Sequence, residues 1–128
     1  MSAAAPTTDR PMIQDQATAL GRQIGQSDEY KAVKRTSEEL NADREAVAAL
    51  REMERLREEA QAMLERGEQP TEEMEQQLDL LLGRVQVNGT YQRYVAAQDN
   101  FDKLMLRVNE WISEGIRKGA TSGIITLA

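Results

Sequence analysis

Apolar side chains recur at steps of three and four residues along most of this chain, the spacing that places them on one face of an α-helix. The longest such run lies between Val87 and Ile116. A helix of about 30 residues extends roughly 45 Å, so this element is expected to organise the rest of the molecule. Its predicted buried positions are Tyr91, Tyr94, Phe101, Met105, Val108, Ile112 and Ile116.

Four shorter stripes precede this helix, each bounded by start and stop signals such as Ser27, Gly67 and Thr71. The short connection around Gly67 and Pro70 predicts that helices three and four form an antiparallel hairpin. The sequence therefore predicts an all-α chain: a five-helix bundle with a central antiparallel helical hairpin and a long C-terminal helix. The four stripes are Ile13, Ala17, Leu20 and Ile24; Tyr30, Val33, Ser37 and Leu40; Val47, Leu50, Met53, Leu56, Ala60, Met63 and Leu64; and Met74, Leu78, Leu81 and Val85.

The two ends of the chain lack the helical pattern. Residues 1–9 show no periodicity and are predicted to be a flexible N-terminal tail. The last helix is predicted to end between Gly115 and Gly119, which leaves residues 119–128 as a C-terminal tail, apolar but too short and uncapped to form a helix of its own. The predicted helical domain spans residues 10–118. The start has no secretory signal and no run approaches 18 apolar residues, so a cytoplasmic protein is expected.

Composition narrows the function. The net charge is −6, from 22 acidic and 16 basic residues that are mixed along the chain. Binding to a nucleic-acid backbone needs clustered Lys and Arg, so direct contact with RNA or DNA is not expected, and a basic protein partner fits the sign better. The chain contains no Cys and no His. It therefore lacks thiolate chemistry, the commonest metal ligand and the most versatile acid–base group near neutral pH.

No pattern of catalytic residues is present. A carboxylate-bridged di-metal site in a helical bundle would need inward Glu residues and Glu-x-x-His pairs, and the acids here are mostly predicted to point outward. Glycine-rich phosphate loops and nucleophile elbows are also missing. The sequence predicts a protein without catalytic residues, cofactor or metal, and a carboxylate-metal enzyme is the least favoured alternative.

The C-terminal half of the fifth helix presents more apolar surface than one neighbouring helix can bury. One neighbour can be the chain's own hairpin and the other a second subunit, with Trp111 as anchor and Gly115 allowing close approach. In the alternative, helix one or the tail covers Leu104 and Trp111. A homodimer is the simplest closed oligomer. The candidate oligomer interface comprises Gln98, Leu104, Met105, Val108, Trp111 and Ile112.

Two polar features carry their own hypotheses. Gln98 lies in the apolar stripe between Tyr94 and Phe101, where it either fixes the register against another helix or reaches water from the edge of the stripe. An acidic cluster surrounds the tip of the predicted hairpin, and it either steers a basic partner or serves only to solvate and cap the helices. The candidate partner-docking residues in this cluster are Glu68, Glu72, Glu73 and Glu75.

Four phrases occur in a characteristic order along the chain. They are Ala17, Leu20 and Ile24 followed by Ser27-Asp28-Glu29-Tyr30-Lys31; Asp43-Arg44-Glu45-Ala46 at the start of a long helix; Gly67 to Pro70 at the hairpin; and Asn88, Tyr94, Ala97, Phe101, Leu104, Val108 and Ile112 in the last helix. In order and spacing they resemble the YlbF/YmcA (Com_YlbF) family of small helical bacterial regulators, YheA-like members included. The resemblance extends over about residues 12–117.

The resemblance implies a non-enzymatic regulator that acts through protein contacts. YlbF- and YmcA-like proteins form a complex with a third protein, YaaT, affect competence, sporulation and biofilm formation, and act with RNase Y in mRNA processing. In the members that form this complex, cysteines are connected with an iron–sulfur cluster, and this chain has no Cys to carry that role. The alternative function is a small helical chaperone-like or scaffold module that uses its hairpin as a clamp.

Overall fold

Five α-helices make up the backbone over residues 4–127, the part of the chain that the computed structural model describes; side chains are described over residues 10–120. The helices are α1 (Ala4–Gly25), α2 (Asp28–Ala42), α3 (Arg44–Glu65), α4 (Glu72–Gln86) and α5 (Gly89–Leu127). No strand occurs in this described part. The predicted all-α fold with five helices is confirmed.

Side-chain caps begin three of the helices, two of them at Ser27 and Thr71, where the sequence predicts a start. The amide of Tyr30 donates to Ser27 Oγ at 3.1 Å, that of Ala46 to Asp43 Oδ1 at 3.0 Å, and that of Met74 to Thr71 Oγ1 at 3.2 Å. Each bond satisfies an amide that has no partner within its helix. These local bonds fix where α2, α3 and α4 start.

α3 ends in a Schellman motif at Gly67. This glycine has a φ of 78°, a left-handed conformation that costs a residue with a Cβ more than it costs glycine. The amide of Glu68 donates to the Met63 carbonyl at 2.8 Å, and that of Gly67 to the Leu64 carbonyl at 3.0 Å. The chain therefore reverses within a few residues and α4 returns along α3.

The α3–α4 hairpin buries its own apolar seam. Leu56 and Val85 are almost fully buried, and Met53 and Met74 are buried with them. The C-terminal end of α3 shares a groove with the start of α4, and the start of α3 shares another with the end of α4, so the two helices are antiparallel. The predicted central hairpin is thus present.

α2 packs along the first half of α5, and this is the most extensive contact between two helices in the described chain. The rings of Tyr30 and Phe101 meet with centroids 5.6 Å apart, and Arg93 Nε lies 3.7 Å from Glu39 Oε2 near the other end of the pair. The two helices are therefore antiparallel. Leu40 of α2 and Ala97 and Val108 of α5 are buried.

The main neighbour of α5 is thus α2, along its first half. For the C-terminal half, the sequence analysis named the chain's own hairpin as one possible neighbour. α4 touches α5 only slightly. The buried face of α2 also differs from the predicted stripe. Thr36 is buried, whereas Ser37, which the stripe included, is half-buried. Thr36 Oγ1 donates to the Ala32 carbonyl at 2.7 Å, which offsets the cost of burying its hydroxyl.

The helical ends differ from the sequence-based expectation. α1 begins at Ala4, inside the segment predicted as a tail, and α5 continues to Leu127 without a break. The prediction that the last helix ends near Gly115 to Gly119 is therefore wrong. A segment that continues an existing helix needs neither nucleation nor a new cap, and glycine inside a helix costs only about 1 kcal/mol. Residues 1–3 and 128 of the predicted tails lie outside the described residues.

No helix in the described part of the chain has the length and apolar character needed to span a membrane.

Candidate protein interfaces

The corner between the two helix pairs is held by two helix caps that bind each other. Asn88 Oδ1 accepts the amide of Tyr91 at 2.9 Å and so caps α5, while Asp43 caps α3. Asn88 Nδ2 also donates to Asp43 Oδ2 at 3.1 Å. The pKa of Asp43 lies below its ordinary value because the amide of Ala46 and the side chain of Asn88 both stabilise the carboxylate. This joint fixes how the α3–α4 hairpin leaves the α2–α5 pair.

The residues predicted for the oligomer interface divide into two groups. Val108 is 5% exposed and lies in the protomer's own core, with Leu104 and Met105 half-buried beside it. Trp111 is 59% exposed and Ile112 47% exposed. The exposure of Trp111 means that helix one does not cover it within the protomer.

Gln98 forms a hydrogen bond inside its own helix. Its Nε2 donates to Asp102 Oδ1 at 3.1 Å, and the residue is half-buried. The amide thus has a partner one turn further along α5, and its role in an interface stays a prediction.

Beyond Val108 every described side chain of α5, through Ala120, is exposed. The apolar stripe nevertheless continues, since Ile116 follows Ile112 at one turn and is 65% exposed. Trp111 also lines a surface groove with Leu104, Lys103 and Arg107 of the same helix and Glu29 of α2. This region combines an aromatic side chain, aliphatic side chains and flanking charges, as the centres of protein interfaces do.

The first helix shows a second exposed stripe. Met12 and Ile13 are exposed although Ile13 belongs to the predicted stripe, and only Leu20 and Ile24 of that stripe are half-buried. α1 contacts α2 near their junction and little else. Sequence reasoning did not include α1 in the interface, although the low number of charged residues between Pro11 and Gln26, only Asp15 and Arg22, was a usable signal.

The acidic residues predicted for partner docking all lie on the surface at the hairpin tip. Glu72, Glu73 and Glu75 occupy the first turn of α4, where carboxylates complement the helix dipole. Glu68 Oε2 lies 3.2 Å from Arg66 Nη2, so one acid of the cluster is partly neutralised. Glu73 additionally lines the groove between α3 and α4. The tip is thus an exposed, mainly acidic surface.

Charges along the outer face of α3 pair with each other instead of forming a site. Arg55 Nη2 lies 2.6 Å from Glu52 Oε1 and Arg55 Nη1 lies 3.2 Å from Glu59 Oε2. The hydrogen bond from Arg55 lowers the pKa of Glu52. Over the described residues, no three His, Cys, Asp or Glu side chains are placed to hold a metal ion. These observations are typical of a solvated helix face.

A smaller apolar surface, which sequence reasoning missed, lies between α4 and α5. Leu82, Val87 and Val95 are exposed there, and Leu82 and Val95 share a groove with Tyr91. Gln92 Nε2 donates to the Gln86 carbonyl at 2.8 Å and closes the α4–α5 turn beside it. The apolar spacing of Leu82 was visible in the sequence, but periodicity does not show which side of a wide stripe stays uncovered.

We compared the sequence and the structure with those of known proteins. The chain is similar to a chain in the X-ray crystal structure of Bacillus subtilis RicA in complex with RicF, with a TM-score of 0.74, 16% sequence identity, and coverage of 85% of this chain and 96% of that chain. Curated protein sequences give no significant match. The model of the Com_YlbF family, described as control of competence regulator ComK, YlbF/YmcA, matches residues 13–117. The chain therefore belongs to the Com_YlbF family.

Proposed function

We propose that this protein is a non-enzymatic regulator that changes the activity of a partner protein through direct contact. The observation that carries the proposal is the match to the YlbF/YmcA family over residues 13–117, the region that contains most of the five helices. The similar solved chain was crystallised as part of a RicA–RicF complex. Both comparisons support a role in assembly with other proteins.

The surface of the chain fits that role. Large apolar side chains such as Trp111 and Ile116 are exposed. Apolar side chains grouped on one surface commonly mark sites of protein association. The hairpin tip offers a second, acidic surface around Glu72 and Glu73, which suits a basic partner.

In cells we propose that the protein acts in the cytoplasm on an RNA-processing complex, and through it on processes such as competence, sporulation and biofilm formation. Its net charge of −6 gives it no electrostatic attraction to phosphate backbones. It therefore contributes to RNA processing by contacting the processing enzyme or the regulatory proteins of that enzyme. We also propose that it forms a homodimer through the C-terminal half of α5.

Three measurements test the function. The purified chain should fail to shift RNA at low salt, where weak phosphate binding is exaggerated. Affinity purification from the source cell should enrich an endoribonuclease or its regulatory proteins, and loss of the protein should change the ends of processed transcripts. Sequence-specific RNA binding by the isolated chain, or recovery of unfolded clients without any specific partner, would contradict the proposal; the second outcome would favour a chaperone-like module.

A further inference from the structure

Two helical arms extend from the same end of α2. α1 is joined to the start of α2 by only Gln26 and Ser27. α5 passes the start of α2 where Phe101 meets Tyr30, and it continues for 19 residues beyond Val108. At 1.5 Å per residue, the 22-residue α1 and this part of α5, residues 109–127, are each about 30 Å long. We call them the α1 arm and the α5 arm.

Each arm carries an apolar stripe that begins inside the protomer and runs out of it. On α1 the stripe passes from Ile24 and Leu20, which are half-buried, to Ile13, which is 66% exposed. On α5 it passes from buried Val108 to the exposed Ile112 and Ile116. The same helix face that forms core at one end is thus uncovered at the other end.

Few charged side chains lie on the uncovered faces; Arg10, one turn before Ile13, is at the border of the α1 face. Between Pro11 and Gln26 the only charged residues are Asp15 and Arg22, and at 3.6 residues per turn both lie opposite the Ile13–Leu20 stripe. On the α5 arm Glu110 and Glu114 also lie on the far side, where Glu114 Oε1 lies 3.1 Å from Lys118 Nζ. A wide face without charge is typical of helices that pack against more than one neighbour.

We propose that the α1 arm of one protomer packs along the α5 arm of a second copy of this chain, and the reverse, so that the four arms form an intermolecular four-helix bundle. This inference rests on the proposed homodimer and names what covers the exposed face of α5. Each protomer offers one arm of each kind, of matching length, and a two-fold axis lets both be covered at once.

The available surface is adequate for such a dimer. Two strips each about 30 Å long and about 10 Å wide present roughly 600 Å² per protomer, which approaches the about 800 Å² per partner of a stable interface. A different protein could cover one arm, but a second copy supplies both missing neighbours with the same contact. A second copy is therefore the one partner that covers both stripes at once.

The position of the arms also predicts their register. The remaining helices of each protomer lie at the base of the arms, so two protomers avoid collision when their bases are at opposite ends of the bundle. In that arrangement α1 runs parallel to the α5 arm of the second copy. Ile13, near the middle of α1, then lies level with Ile116, near the middle of the other protomer's α5 arm.

The absence of Cys from the chain makes cross-linking a clean test. An Ile13→Cys chain with a size tag is mixed with an untagged Ile116→Cys chain, allowed to exchange, and treated with a short bifunctional maleimide. We expect a cross-linked species that contains one tagged and one untagged chain. The matched control pair is Asp15→Cys with Glu110→Cys, which are exposed positions on the far faces of the same arms, and this pair should give no such species.

The other outcomes separate this inference from the proposals on which it rests. A wild type with dimer mass that gives no mixed cross-link would overturn the packing of α1 on the second copy and leave the homodimer standing. A doubly substituted Ile13→Cys/Ile116→Cys chain that cross-links within itself at high dilution would show that the arms close on each other in one protomer, which also overturns it. A monomeric wild type would overturn both the packing and the homodimer, while partner capture from cells tests the regulatory function independently.

Discussion

Asn88 Nδ2 donates to Asp43 Oδ2 at 3.1 Å across 45 residues of sequence, and each of the two residues caps a different helix. One pair of short side chains therefore sets the start of α3, the start of α5 and the contact between these two starts. Each residue therefore has two roles, a local helix cap and a long-range hydrogen bond. Suitable substitutions can remove both roles or only the long-range bond.

The first prediction separates these two roles of Asn88. Asn88→Ala removes both the cap and the link and should destabilise the protein by about 1 kcal/mol or more, a fall in Tm of roughly 4 °C for a domain of this size. Asn88→Ser retains a capping oxygen but lacks the separate, longer-reaching amide nitrogen that donates to Asp43, so its Tm should lie between those of the alanine variant and wild type. Thermal melts of the three proteins provide the measurement, and equal melting temperatures for the serine variant and wild type would mean that the link contributes nothing.

The second prediction concerns pH and Asp43. Its pKa in the folded protein is lowered from an ordinary value of 3.8, mainly by the Ala46 amide and then by Asn88. A lowered folded pKa contributes stability that is present above the ordinary value and is lost as the pH falls through the folded pKa. The Tm difference between wild type and Asp43→Asn should therefore be largest near neutral pH and shrink below about pH 4. Asp99→Asn, an exposed position on α5, is the control. A difference that stays constant down to pH 2 would contradict the assignment.

The third prediction uses two glycines with opposite conformations. Gly67 has a φ of 78° and Gly83 lies within α4, and a Cβ at either position would meet nothing within 4 Å. Gly67→Ala should destabilise the protein by about 1 kcal/mol through backbone strain alone. Gly83→Ala should instead stabilise it by about 0.5–1 kcal/mol because alanine restricts the unfolded chain and favours the helix. Urea unfolding of both variants checks the sign as well as the size.

The fourth prediction tests the exposed face of the α5 arm. Trp111→Glu and Ile112→Glu should convert a dimer into a monomer at tens of micromolar, since burying an unpaired charge in an interface costs several kcal/mol. Leu106→Glu is the matched control because Leu106 is also an exposed apolar residue of α5 but lies away from the Ile112–Ile116 stripe. Light scattering should show the dimer mass for wild type and this control. Loss of the dimer in all three variants would point to a general effect of charge on α5.

The fifth prediction concerns the acidic hairpin tip. Replacing Glu72, Glu73 and Glu75 together with lysine should slow association with the protein partner, and more at low salt than at high salt, if the tip steers docking. A glutamine triple variant separates loss of attraction from repulsion and from the unfavourable placement of lysine at the start of α4. Lysine at Glu38, Glu54 and Glu58, exposed acids away from the tip, matches the change in net charge. Equal on-rates for all variants would move the docking surface elsewhere.

Much of the fold could be predicted because its determinants are local. Ser27 and Thr71 each bind an amide three residues away, so the residue type and its position were sufficient. The hairpin followed from Gly67, whose conformation and bonds also involve only nearby residues. The apolar stripes gave the buried face of each helix for the same reason.

The partner of each face could not be predicted in this way. Periodicity shows that α5 has a buried side. It does not show whether α2 or the hairpin covers that side, and in the structure it is α2. The stripe on α1 gave no sign that Ile13 would be exposed in the protomer. Likewise, the hydrogen bond between Asp43 and Asn88 depends on how four helices meet. Neither an aspartate nor an asparagine at these positions indicates that the two side chains are in contact. The covered and uncovered helix faces that make up the candidate interfaces depend on long-range geometry, so only the structure could identify them.

The Asp43–Asn88 joint also has a consequence for how the chain folds. α2 and α5 lie on either side of the hairpin in sequence, so their docking must close a loop of about 45 residues, whose entropic cost grows with loop length. If α3 and α4 pair first, the two ends of that loop are already together at the joint, and the remaining docking step is short. We therefore expect substitutions in the α3–α4 seam, such as Leu56→Ala, to slow refolding, whereas those in the α2–α5 seam, such as Leu40→Ala, mainly accelerate unfolding. On this view the hairpin that reaches away from the rest of the protein is also the nucleus from which it assembles.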